Sequence, residues 1–492
     1  MTNHQWLNVT QLDRNERRWL TFAGAIAVLC FVVAIPLILD AGFGAEDFLI
    51  APRAQEGWGH AMLTYFGAAD PEAIHYYRPA CRAVQRTLQV FYDTSPAVFH
   101  TWNLILHLFA VWLVYRLARS LSGDKAIAVL AGLVFLIHPA HDEPIIWVSG
   151  ISALTETVWH LLGLLAFDRF LRTRDRLTGG AVIVCFAFGV LSKESGVSIL
   201  LTMPLLWWYR GHEKRALWPY AGVAAATAAL FAWRKIIGVD SSLPLLNLTP
   251  NPLAWGRNAV YYLVQFLVPV RSVFRLIGFD NYYRLRDMLP PVPTTMLYGA
   301  GIIVALGLIA WILLRTWGRF PRLAILAVLL AIAAIGPLFI SRYPGLRLMY
   351  LSSGMLAIAV AAIVMQSARR KWFVAVVSVW IVIMSLSLVE RAEAWRESGH
   401  LAGRIFDAAL YTCNKVPDEA TVVFRGIPGR YLGGYVFPVT FSEAVSKRVP
   451  PRYRLTIINY DDPHEYIDAI PGDARWYQWD GEHFLPSTAP AR

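Results

Sequence analysis

Two adjacent carboxylates, Glu46 and Asp47, lie just past an apolar run in the glycine-bearing stretch Asp40-Ala-Gly-Phe-Gly-Ala-Glu46-Asp47-Phe48. Adjacent acids at a membrane exit can serve as a general base, and two neighbouring carboxylates near low-dielectric lipid repel and tend to be kept for a reason. The plain alternative is a solvated interfacial loop. Farther on, Tyr76-Tyr77-Arg78-Pro79 offers a guanidinium able to grip a phosphate, beside tyrosines that can stack on a sugar or anchor at a membrane interface. Asn103 and His107 are four residues apart on one face of an apolar helix. In His138-Pro139-Ala140-His141-Asp142-Glu143-Pro144, followed by Trp147 and Gly150, the prolines end a helix and hold polar groups at its mouth. His138, His141 and Glu143 could ligate a divalent cation, but the spacing is not an established zinc pattern, and a sugar or phosphate pocket fits it at least as well.

Lys193 and Glu194 interrupt apolar sequence, where a charge costs about 2.5 kcal/mol or more on insertion scales. They are either functional or the wet tip of a hairpin. Glu156 and His160, four apart, read as a structural pair. Arg342, Arg347 and Tyr350 mark another junction, where cations meet a lipid phosphate or snorkel.

These residues sit at the ends of apolar runs, and the runs dominate the chain. Of its 492 residues 56% are hydrophobic and 16% charged, against roughly 25% charged in ordinary soluble domains. The first run, Leu20 to Leu39, is too long for a signal-peptide core and reads as an uncleaved span with a cytoplasmic N-terminus. Further runs cover Phe99–Leu117, Ala126–Ile137, Thr157–Phe170, Ala181–Leu191, Gly196–Tyr209 and Tyr220–Ile237. Four more cover Thr294–Leu314, Leu323–Ile340, Met349–Met365 and Trp372–Val389. Basic clusters around Arg119, Arg172, Arg210, Arg319 and Arg370 follow every second run. Placing them in the cytoplasm gives about eleven spans and an external C-terminus.

Of 45 basic and 34 acidic residues, 12 and 14 lie from Val389 onward, leaving 33 against 20 in the remainder, chiefly in short loops. The excess is therefore an orientation signal and implies no nucleic-acid partner. Outside the bilayer fall residues 40–97, 238–293 and the tail. The run Ala259–Val270 is bounded externally on both sides and, at about twelve residues, is too short to cross, so it is interfacial or re-entrant. The pair around Ser192–Ser195 forms a hairpin with an external tip. The division is thus a membrane module, 1–389, and a small external α/β domain, 390–492. In the second, a helix spans Arg391–Leu410, strands cover Ala420–Gly426 and Tyr453–Tyr460, and Asp480-Gly481 makes a hairpin turn. Four scattered cysteines form no ligand or disulfide framework.

Taken in order, Glu46-Asp47-Phe48, Tyr77-Arg78-Pro79, Asn103 with His107, His138-Pro139-x-His141-x-Glu143 with Trp147 and Gly150, Ser192-Lys193-Glu194, and Arg347-x-x-Tyr350-Leu351 resemble the GT-C class of polytopic glycosyltransferases. The set is most similar to bacterial relatives of the transmembrane O-mannosyltransferases that carry tetratricopeptide repeats. The resemblance covers Ala45 to Leu351. Glu46 stands where the family often has an aspartate, and the tail is short and different, so a protein acceptor does not carry over.

The resemblance implies an all-α membrane protein with about eleven spans and an inverting transfer of a hexose from a polyprenyl-phosphate donor to an acceptor hydroxyl. This would occur on the external, periplasmic face of a bacterial inner membrane. Asp47 would be the base, with Glu46 beside it, and Arg78, Lys193 and Arg347 would hold the donor phosphate. Tyr77, His138, His141, Glu143, Glu194 and Tyr350 would line the sugar or acceptor, with a divalent cation as the one candidate cofactor. The partners would be the lipid-linked sugar, membrane lipids and an acceptor of unassigned kind. A lipid or solute transporter is the rival reading, but such folds tend to carry repeats with matching broken helices, and no such symmetry shows. A non-catalytic scaffold would leave the polar motifs on one membrane face unexplained.

Overall fold

The computed structural model describes residues 12–49, 58–67, 77–92, 95–211, 217–239, 251–276, 321–339, 345–367, 369–437, 440–450, 454–459 and 470–488. The expected span Thr294–Leu314, Arg342, and parts of loops 40–97 and 238–293 lie outside them.

Helix α1 (Arg14–Leu39) opens on a capping box: the Asp13 carboxylate accepts from Asn15 N and Glu16 N, and Glu16 accepts from Asp13 N. After a 3-10 turn at Ala45–Leu49 come α2 (Trp58–Gly67), α3 (Pro79–Tyr92) and the long α4 (Pro96–Ser122), which closes on Gly123 at φ 71°. Helix α5 (Lys125–Leu136) breaks at Pro139 and continues at 55° through Pro139–Ile146, whose last turn is α6 (Asp142–Ile146). Then follow α7 (Ile151–Thr173), α8 (Arg176–Ser192), α9 (Ile199–Arg210), α10 (Trp218–Ile236), α11 (Pro252–Leu267) and α12 (Val270–Leu276). The membrane part ends with α13 (Arg322–Phe339), α14 (Tyr350–Gln366) and α15 (Arg370–Cys413).

Among the described residues, five helices are long and apolar enough to cross a bilayer, or six if the bent α5 pair is one span. Helices Arg176–Ser192 and Arg322–Gly336 are apolar but shorter. The chain is a polytopic helical membrane protein, and the expected eleven spans are not reached among the described residues. Helices α1 and α15 pack along their lengths, with Ala23, Ala27 and Ala34 fully buried, since small side chains let helix backbones approach closely where lipid offers no hydrophobic drive.

The two ends of the bundle differ. At one end α4, α7 and α9 meet over Asp168, which is wholly buried and pairs with Arg172 at 2.9 Å and Arg210 at 2.6 Å, while Ser120 donates to it. Arg370, at the start of α15, pairs with Glu16 of α1 at this same end. The other end carries the candidate site.

The sequence separated a span ending at Val389 from a helix starting at Arg391. The structure joins them into one 44-residue helix, because Val389-Glu390-Arg391-Ala392-Glu393-Ala394 contains strong helix formers and no breaker. The boundary at residue 390 thus falls inside α15. Its end leads into a four-stranded sheet ordered β4-β1-β5-β6, with β1 (Thr421–Arg425) parallel to β4 (Thr456–Asn459) and β5 (Arg475–Trp479), and β6 (Phe484–Ser487) antiparallel to β5. A separate hairpin pairs β2 (Arg430–Tyr431) with β3 (Gly434–Tyr435), and a short helix, α16, spans Phe441–Ser446. The hydrophobic core of this part includes Phe48, whose ring lies 4.5 Å from Phe406 and 5.1 Å from Phe437. The loop bearing the two acids is therefore packed into the C-terminal domain.

Candidate active site

The chain reaches Glu46 and Asp47 through Gly44, where a Cβ would meet Tyr435 O at 2.7 Å, and Ala45, held at φ 50° with its N–H donated to Val436 O at 2.7 Å. The 3-10 turn then sends the two carboxylates in different directions. Asp47 points inward and is 1% exposed. It accepts from Gly44 N at 3.3 Å, Val148 N at 3.4 Å, Ser149 N at 3.1 Å and Ser149 Oγ at 3.2 Å. Burial, and then the charge of Glu46, push its pKa up to about 8 despite those donors. Glu46 is half-buried. Burial raises its pKa, while Arg347, Arg78 and Arg82 draw it down.

Of the three cations expected at the donor phosphate, Arg78 and Arg347 act on this acid, and Lys193 acts with those two. Arg78, just before α3, donates from Nε and Nη2 to Glu194 at 3.0 and 2.8 Å. Lys193 caps α8 and is 6% exposed, so it is not the tip of a hairpin in water. Burial, followed by repulsion from Arg78, lowers its pKa to about 8, with Glu156 acting against them. Glu194 is held below the usual carboxylate range by Arg78, against its own burial. Arg347 sits in the 3-10 turn Leu346–Met349, with its guanidinium 4.7 Å from the centre of the Trp147 ring and Nη1 donating to Tyr435 Oη at 3.4 Å. Distant chain segments thus bring Arg78 and Arg347 within electrostatic reach of Glu46 on one side and of Lys193 on the other.

The other expected residues are turned into the protein. His138 accepts from Ala140 N and donates to Phe266 O at 2.9 Å. His141 donates to Ser353 Oγ at 2.8 Å. Tyr350 donates to His107 Nδ1 at 2.6 Å, and His107 Nε2 donates to Leu136 O. Tyr77 bridges Phe66 O and Trp233 Nε1, tying α2 and α3 to α10. Glu143 accepts from Arg271 at 2.8 Å and from Arg347 N at 3.3 Å. His138, Tyr350 and Tyr77 are thus engaged in internal hydrogen bonds, while His141 Nδ1 is buried with no hydrogen-bond partner among the described residues. His138, His141 and Glu143 do not converge as ligands. Among the described residues no group of three or more His, Cys, Asp or Glu is placed to hold a metal ion, so these groups do not fit the cation considered above.

Several residues escaped the sequence reading. Asp142 takes Arg271 Nη1 at 3.1 Å, Arg391 Nε at 2.9 Å and Trp395 Nε1 at 3.0 Å on one carboxylate oxygen. Arg430 lies 3.9 Å from Glu143 and stacks 4.0 Å over the Tyr435 ring. Asp142 was visible as an acid beside the prolines, whereas Arg430 and Tyr435 lie in the C-terminal part with no local mark.

No family model matches the chain. The protein O-mannosyl-transferase Tmtc2 of Drosophila melanogaster is 31% identical over 196 residues, covering 37% of this chain and 21% of that protein. Mouse TMTC2, also a protein O-mannosyl-transferase, is 30% identical over 148 residues, 29% of this chain and 17% of its own length. The chain thus matches about a fifth of the length of these curated relatives. Among solved structures, ArnT from Cupriavidus metallidurans bound to undecaprenyl phosphate gives a TM-score of 0.45 at 14% identity, over 90% of this chain and 86% of that one. The archaeal oligosaccharyltransferase AglB from Archaeoglobus fulgidus, in complex with an inhibitory peptide and a dolichol-phosphate, gives 0.43 at 13% identity, over 87% and 64%. The chain is similar in sequence to TMTC O-mannosyltransferases of the GT-C class.

Proposed function

We propose that the chain is an inverting membrane glycosyltransferase that takes a hexose from a polyprenyl-phosphate donor at the external rim of the bilayer and passes it to an acceptor hydroxyl. The observation that carries the reading is that Glu46 lies in the field of Arg347 and Arg78, and that buried Lys193 lies in the field of the same two guanidiniums. A leaving phosphate needs fixed positive charge where its own charge grows, and an alcohol needs a base for its proton. The sequence likeness to O-mannosyltransferases supports the same class of reaction.

In this mechanism the acceptor oxygen attacks C1 of the sugar while its proton passes to a Glu46 oxygen. The C1–O bond to phosphate breaks with its electron pair going to the phosphate, which the two guanidiniums and the ammonium receive. A single displacement of this kind inverts C1. The base role moves from Asp47 to its neighbour because Asp47 spends both oxygens on Gly44, Val148 and Ser149. Asp47 instead positions the turn that aims Glu46. Glu194 serves as counter-ion to Arg78. The test is release of polyprenyl monophosphate from a polyprenyl-phosphate hexose by the purified protein in detergent with its membrane lipids. Release that depends on Glu46 supports the reading, and no release and no binding of the lipid would remove it.

A further inference from the structure

The β2–β3 hairpin belongs in sequence to the C-terminal domain, yet it reaches the membrane module at its charged end. Its turn has positive φ at both central residues, 49° at Leu432 and 86° at Gly433, a geometry that suits the twist of a tight hairpin. Three bonds fix it from outside: Arg391 Nη1 donates to Leu432 O at 2.8 Å, Ser398 Oγ to Tyr431 O at 2.5 Å, and Ala45 N to Val436 O at 2.7 Å. Tyr435 is buried between Trp147 and Trp395, with ring centres 4.9 and 5.5 Å away. Its hydroxyl meets Arg347 at 3.4 Å. One short hairpin therefore touches both the cation assigned to the donor phosphate and the turn that carries Glu46.

We infer that this hairpin is part of the donor site, with Tyr435 as a positioning residue that holds Arg347 against the donor phosphate and sets its distance from Glu46. The inference rests on the proposed function for the identity of the ligand. The physical case is that a guanidinium on a flexible stem loses side-chain freedom when it binds. A ring below it and a hydroxyl beside it remove that freedom before the ligand arrives. Trp147 supplies the first and Tyr435 the second. The tight approach at Gly44 extends the coupling to the acid, because any side chain there must displace the hairpin.

Two variants and a control test this in the full-length protein, with polyprenyl monophosphate as the binding probe and a polyprenyl-phosphate hexose as the substrate. Tyr435→Phe keeps the packed ring and removes one hydrogen bond, so the donor KM and the Kd for polyprenyl monophosphate should rise about three- to tenfold. The kcat and the melting temperature should hold. Gly44→Ala keeps every polar group but shifts the hairpin, and should lower kcat at saturating donor. Tyr411→Phe removes a hydroxyl from an exposed position of α15 outside the hairpin and should change neither constant. Wild-type binding with unaltered KM and Kd in Tyr435→Phe would overturn the inference while leaving the proposed function standing. Failure of the wild-type protein to bind polyprenyl monophosphate at all would overturn both.

Discussion

Glu46 and Asp47 are adjacent in sequence but stand in different surroundings, and the difference sets their expected responses to substitution. Glu46→Gln removes the proton acceptor and should cut kcat by about 10² to 10⁴, the usual contribution of general base catalysis, with the melting temperature unchanged. Asp47→Asn places an amide N–H₂ against backbone donors of Gly44 and Val148. It should lower the melting temperature and reduce turnover less than Glu46→Gln does. Full turnover in Glu46→Gln, with loss confined to Asp47→Asn, would return the base role to Asp47. Lys193 gives a pH signature. Its pKa is lowered to about 8 by burial and Arg78, so it is charged below that pH and neutral above. Donor affinity should therefore fall as pH rises through about 8, by up to the 10- to 150-fold that one charge-assisted contact represents. Lys193→Arg, which stays charged, should flatten the decline. A wild-type Kd for polyprenyl monophosphate that is constant from about pH 7 to 9 would count against a role for Lys193, whose lowered pKa places its loss of charge around pH 8. Charge inside apolar sequence made Lys193, Arg347 and the acid pair legible from the residues alone. The direction each side chain takes was not: periodicity is silent inside a five-residue 3-10 turn, so the sequence could not tell which of the two acids is turned inward.

At the scale of elements, the site is held by one carboxylate that joins three helices. Asp142 on α6 binds Arg271 of α12, and both Arg391 and Trp395 of α15. Removing its charge leaves the buried Arg391 guanidinium without a carboxylate, while Arg271 keeps Glu143; breaking a buried pair in this way typically costs about 3–5 kcal/mol. Asp142→Asn should accordingly lower the thermal melting point in detergent and expose the tail to limited proteolysis, because Arg391 also anchors Leu432 of the hairpin. An unaltered melting point would mean that the network is wet and weak. Hydropathy located the membrane helices well, since lipid demands long apolar runs. The interfacial reading of Ala259–Val270 falls on α11, which begins earlier, at Pro252 with Asn251 as its cap. The continuity of α15 escaped because hydropathy marks where lipid ends, not where a helix does. The parallel pairing of β1 with both β4 and β5 likewise leaves no local trace, unlike the Asp480-Gly481 hairpin turn, which joins β5 to β6 as read.

For the whole molecule, charge is sorted between the two ends of the bundle. Arg172, Arg210 and Arg370 gather where α4, α7 and α9 end and α1 and α15 begin, while Glu46, Arg78, Lys193 and Arg347 gather at the opposite end. Excess basic residues mark the cytoplasmic side of a membrane protein. We therefore propose that the first end is cytoplasmic, and that the catalytic end and the C-terminal domain face outward. A donor whose sugar is carried on a lipid suits that arrangement, because an external site has no access to cytoplasmic nucleotide sugars. The sign of the arrangement can be tested independently of activity. Reporter fusions at Arg119 and Arg172 should be active only for a cytoplasmic reporter, and fusions after Glu482 only for an external one. Because Glu46 packs through Phe48 into the core of the C-terminal domain, the tail cannot lie on the opposite side from the acids. An external reporter signal at Arg172 with a cytoplasmic one after Glu482 would invert the molecule and put the site beside nucleotide sugars. The donor would then have to be sought among soluble compounds, although the arrangement of Glu46, Arg78, Lys193 and Arg347 would remain as it is.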